Sequence, residues 1–240
     1  MKMSVRFSGL LAGVLALASF AGPASAQVPT VADVGDPDSF GHNVTYLGKM
    51  QSIPLKVEDP CQIEDPTKLR CTSMLHDGAD TIINETDLGV IRLPARATKT
   101  LLCFLYVPFV VTEYSNAPSP QFAKFSIAAD VTIENSVLND PTLVNPLTGQ
   151  PFGGKIKVSQ STLYELRGIV AGQYEVRQEL DSLFCAGGVS RRQLIDLYKL
   201  TPAQATAFFA RPITLRFGAK GQINEGFLNY HYNFRVFGDN

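Results

Sequence analysis

The sequence predicts a mainly β protein, an antiparallel β-sandwich with a short helical hairpin inserted near the C-terminus. Three observations predict it. Residues 122–135 and 226–238 alternate apolar and polar side chains with the period of two that marks a half-buried strand. The run "KTLLCFLYVPFVVTEY" (99–114) is apolar on both faces and rich in β-formers, as expected of a central buried strand. One stretch, 190–210, instead carries helix start and stop signals.

Taken in order, residues 1–26 read as a cleaved signal peptide. Lys2 and Arg6 supply a positive n-region before the apolar run 10–22, and Ala24 and Ala26 supply the small residues of an Ala-x-Ala site. The run falls short of the ~20 residues a bilayer anchor needs. Cleavage after Ala26 is expected, giving a chain exported to the periplasm or cell exterior, and the signal has a bacterial character. It leaves 27–240 as a single β-rich domain. Losing Lys2 and Arg6 moves the formal net charge from −1 to about −3. With Arg191–Arg192 as the densest basic cluster, nucleic acid is excluded as a partner. No later apolar run has membrane-spanning length.

Residues 27–42 are expected to form an extended N-terminal arm broken by a turn at "GDPDSFG". Strands are predicted at 43–48 and 53–58, with Pro54 favouring an edge for the second. Residues 59–88 are polar and predict a long loop. Strands resume at 88–94 and 99–114, where Pro108 marks a bend or bulge. Residues 140–154 predict an irregular connection, and 155–180 predict two strands joined near Gly168–Gly172. Ser190 and Gln193 then form a capping box, and Leu194, Leu197, Tyr198 and Leu200 fall on one helical face. Thr201 caps a second helix with Pro202 at its first position, and Pro212 ends it. Strands at 213–218 and 226–238 close the chain.

Four cysteines stand at 61, 71, 103 and 185. In an oxidising compartment an even count predicts disulfides, here Cys61–Cys71 and Cys103–Cys185. The first closes a local loop turned at Asp65–Pro66. The second ties a core strand to a distant segment. Zinc is disfavoured, because there is no C-x-x-C pair and no histidine at ligand spacing beside a cysteine.

The motifs of nucleophilic hydrolases, zinc proteases and nucleotide-binding folds are missing. No catalytic residue, cofactor or metal is therefore assigned. Asp36, Asp38 and His42 crowd into seven residues, but turn chemistry accounts for all of them except His42. His76, Asp77 and Asp80 around Gly78 lack the spacing of a calcium loop and read as a surface turn. His231 sits mid-strand between tyrosines. Glu165, Glu175 and Glu179 offer carboxylates for a glycosidase pair, with no separation fixed by the sequence.

The function expected is that of an exported, non-catalytic protein that binds or builds in the bacterial envelope or on the cell surface. Its partner would be another envelope protein or a second copy. A secreted hydrolase using loop carboxylates with His42 or His231 is the alternative. A third reading is a subunit polymerising by strand exchange through residues 27–35, but Val28, Val31 and Val34 step by three and give it little support. The hairpin poses its own choice. Tyr198, Phe208 and Phe209 either form an interaction surface or cap one end of the sheets, and capping is favoured because Cys185 and Pro212 bracket the segment.

Overall fold

A computed structural model describes residues 36–63, 65–75, 79–114, 121–160, 162–169, 174–180, 182–184 and 188–239. The expected signal peptide, arm residues 27–35, His76, Asp77, Gly78 and Cys185 lie outside the described residues. The fold is mainly β with two helices. Its strands are β1 (Val44–Gln51), β2 (Leu55–Glu58), β3 (Arg70–Ser73), β4 (Thr81–Leu93), β5 (Leu101–Tyr114) and β6 (Gln121–Glu134). After a 3-10 turn at Ser136–Asn139 come β7 (Val144–Asn145), β8 (Gln150–Pro151), β9 (Lys155–Ser159), β10 (Leu163–Ile169), β11 (Glu175–Leu180), β12 (Leu183–Phe184) and β13 (Val189–Ser190). Helices α1 (Arg191–Asp196) and α2 (Pro202–Ala210) precede β14 (Ile213–Ile223) and β15 (Phe227–Asp239).

Two large sheets result. One runs β11-β5-β15-β2-β3, with β1 also on β15 and β12 and β13 also on β5. The other runs β10-β6-β14-β4, with β9 beside β10 on β6. All these pairs are antiparallel except β2 with β3. The alternation read at 122–135 holds, since Phe125, Ile127, Ala129, Val131 and Ile133 are all buried. The sheets meet through aromatic side chains: Phe217 of β14 lies 4.8 Å from Phe234 of β15, ring centre to ring centre. Tyr232 Oη donates to the Gly218 carbonyl at 2.8 Å, satisfying a hydroxyl that burial would otherwise penalise. Gly218 faces a bulge in β4, where a Cβ would stand 2.5 Å from the Glu85 carbonyl oxygen. No other residue fits there.

Several expectations need correction. The long loop predicted at 59–88 contains β3 and the first half of β4, because its strand residues are polar on their outer face. The β2 strand is not an edge: Pro54 only precedes it, and its carbonyl accepts from Arg70 N–H. Pro108 makes no bulge against β15. It stands opposite the break between β11 and β12, where a missing N–H costs no ladder bond. The 155–180 stretch holds three strands, and β10 and β11 belong to different sheets. Residues 36–42, by contrast, form the expected turn, with Ser39 N–H on the Asp36 carbonyl and Gly41 at φ 78°.

Both helices begin as read. Ser190 with Gln193 and Thr201 with Gln204 form capping boxes, each satisfying N-terminal N–H groups reciprocally. The hairpin joins the common core through Leu194, Tyr198, Leu200, Ala205, Phe208 and Phe209. Tyr198, Phe208 and Phe209, the candidate interaction surface, are therefore buried. Leu197, expected inside, is 44% exposed because α1 ends at Asp196 and the chain turns away.

Cys61 and Cys71 are disulfide-bonded with their Cα atoms 5.9 Å apart. Cys103 is also disulfide-bonded. Peptide mapping without reductant is expected to recover Cys61–Cys71 and Cys103–Cys185. A Cys61–Cys103 link or a free thiol would contradict the pairing.

Candidate functional site

A dense polar cluster among the described residues lies where the end of β15 meets the start of β5. Antiparallel register sets Gly238 against Leu102, which places Asp239 beside residues 98–101. Asp239 is 1% exposed, and its Oδ1 accepts from Thr98 Oγ1 at 2.7 Å and from the N–H groups of Thr100 and Leu101 at 2.8 Å each. Its Oδ2 accepts from Thr100 Oγ1 at 2.5 Å and His42 Nδ1 at 2.7 Å. Burial disfavours the charged carboxylate. The Thr100 hydroxyl, His42, the Thr100 N–H and the Thr98 hydroxyl outweigh that and hold it well below the usual carboxylate range.

The "DPDSFGH" turn docks on this corner. Ser39 Oγ lies 3.0 Å from Thr100 Oγ1. Asp38 Oδ2 accepts from an Arg191 guanidinium nitrogen at 2.6 Å. Arg191 also donates to Thr206 Oγ1 at 3.1 Å and to the Pro202 carbonyl at 3.4 Å. His42 and Asp38 thus act as latches joining the turn to β15 and to the hairpin. The His42–Asp239 pair has the form of a general base with its orienting carboxylate. Among the described residues, however, no nucleophile bonds the far nitrogen of His42. Beside the corner opens a cavity of about 480 Å³, lined by Arg96, Lys99, Thr100, Arg191, Phe209 and neighbours.

The other sequence candidates are scattered. His231 lies on the outer face of β15, its ring tilted on Phe109 at 4.6 Å, and burial lowers its pKa. Glu165 is buried on β10 and accepts from Tyr114 Oη at 3.2 Å, bridging the two sheets. Glu175 and Glu179 occupy β11 of the other sheet. Asp80 pairs with Lys124 at 3.0 Å. No group of three metal-ligating side chains occurs among the described residues.

An apolar surface went unread. On the outer face of β10, Tyr164 and Leu166 are exposed, and Phe122 of β6 is 70% exposed. Register sets Gly168 opposite Phe122 and Leu166 opposite Lys124, so Leu166 stands diagonal to Phe122 and two residues from Tyr164, and the three form one apolar stripe. Their sequence signal was present, as the phase of alternation at 163–168 puts Tyr164 and Leu166 on the side opposite Glu165. The buried glutamate reversed the usual polarity and hid it.

No protein-family model matches the chain, and no curated protein matches it. Among solved structures, a chain of an IBDV viral particle aligns with 10% identity and a TM-score of 0.16. The alignment covers 75% of this chain and 39% of that one. A likeness so slight carries no argument about fold or function.

Proposed function

We propose that the chain is an exported, disulfide-bonded β-sandwich that binds or builds in the bacterial envelope or on the cell surface, without catalysis of its own. The observation that carries this reading is the exposed cluster of Phe122, Tyr164 and Leu166 at a sheet edge. Large apolar side chains grouped on an edge strand are a template for association, which soluble monomers ordinarily blunt with charge. His231 is packed on Phe109, Glu165 accepts from Tyr114, and among the described residues no nucleophile bonds His42, which speaks against the hydrolase reading. No described helix is long and apolar enough to cross a membrane. A protein partner in the envelope, or a second copy, would be held through the edge.

The test is fractionation of cells expressing the full chain. Wild type is expected to sediment with envelope material or as a higher-order species. Leu166→Glu combined with Tyr164→Glu should release it to the soluble exported fraction with its melting temperature within about 2 °C, as expected for surface positions. Equal release of wild type and variant would defeat the proposal.

A further inference from the structure

We propose that the cavity beside Asp239 binds a small amphipathic anion, an organic carboxylate with an apolar tail. The site lies apart from the β10 edge and stands independently of the function proposed for it. Its volume, about 480 Å³, falls in the range of small-molecule sites. Its lining includes the apolar residues Phe209 and Ala210 at the end of α2. Its charged groups have unequal partners. Arg191 is neutralised by Asp38, and Asp239 is enclosed by its own donors. Arg96 and Lys99 have exposed side chains with no ion-pair partner among the described residues. The mouth of an apolar cavity therefore carries two uncompensated cations, and a ligand with an anionic head and an apolar body complements both features.

The backbone gives a second, independent observation. Arg96 has φ 60° and is the third residue of a turn closed by Ala97 N–H on the Pro94 carbonyl. That position favours glycine or asparagine, and an arginine there is strained. The strained turn sets the guanidinium-bearing Arg96, rather than a glycine, in the cavity lining. Substitution by glycine should relieve the backbone while removing the cation, so stability and binding should move in opposite directions.

The experiment uses the full exported chain and sodium octanoate as probe, with 1-octanol as a tail without charge and inorganic phosphate as charge without a tail. Titration calorimetry should detect octanoate and neither control at the same concentration. Arg96→Gly should weaken octanoate at least tenfold while melting at or above the wild-type temperature. Lys99→Gln, at an exposed side chain, should also weaken it at least tenfold with unchanged melting. Octanol or phosphate binding as well as octanoate, no octanoate binding at all, or full octanoate affinity in both variants would each overturn the proposal.

Discussion

Phe208→Ala is expected to lower stability by about 3–5 kcal/mol, the range for truncating a buried aromatic ring. In a chain of this size that corresponds to a fall in melting temperature of roughly 6–20 °C. The ring is fully buried, and it meets Phe209 edge-on at 5.3 Å. The Phe208 carbonyl accepts from Asn135 Nδ2 at 2.9 Å, and the same amide reaches the Pro212 carbonyl at 3.3 Å. Asn135 Oδ1 accepts in turn from Val137 N–H at 3.0 Å. One buried asparagine thus ties the end of β6 to both ends of the hairpin's exit, directly beside the ring. Truncation would leave a cavity next to a polar network that cannot collapse without breaking its hydrogen bonds. Leu197→Ala is the control, since Leu197 sits on the same hairpin but is 44% exposed. It should shift stability by no more than about 0.5 kcal/mol. A melt in which Phe208→Ala moves by less than about 2 °C would show that the ring does not hold the hairpin down.

That contrast also shows what was legible in the sequence. Local signals survived: both caps, the proline at the start of α2, and the inward set Phe125, Ile127, Ala129, Val131 and Ile133 stand as read. Each rests on spacing of a few residues, where backbone geometry alone decides. Leu197 was misplaced because helical periodicity assumes the helix continues, and α1 stops one residue before it. The site was far less legible. Asp239 and Thr98 are separated by 141 positions, and only the pairing of β15 with β5 joins them. Neither residue stands out by type, since an aspartate near a strand end and a threonine before a strand are ordinary. The turn at 36–42 is legible from its own residues, while the role of His42 depends on a partner no local pattern names. The cavity is harder still. Arg96 is exceptional only through its positive φ, and the sequence around it offers no glycine to announce a turn.

Asp239→Asn is expected to cost about 2–3 kcal/mol near neutral pH, and the cost should vanish in acid. The estimate follows from charged hydrogen bonds, worth about 1.5–3 kcal/mol each when buried, offset by the acceptor oxygen that asparagine retains. The His42 pair adds little, since His42 is 37% exposed and water screens it. The substituted amide would turn an N–H₂ toward the Thr100 hydroxyl and His42, both of which now donate to Oδ2. The pH dependence follows from the direction of the shift. The native carboxyl is held below its ordinary range, so it is ionised in the native state where the unfolded chain, with a pKa of about 3.9, begins to bind a proton. Its contribution is therefore complete above about pH 5. As pH falls below the unfolded pKa the contribution declines, by at most about 1.4 kcal/mol per pH unit. It is lost once pH passes through the native pKa and both states are protonated. Urea denaturation of wild type and variant from about pH 7 to about pH 2 isolates this group, because the other carboxylates cancel in the difference. The two stability curves should run parallel above about pH 5 and converge toward pH 2. Curves separated by a constant amount over the whole range would mean that Asp239 holds the corner through shape alone, and that its charge contributes nothing.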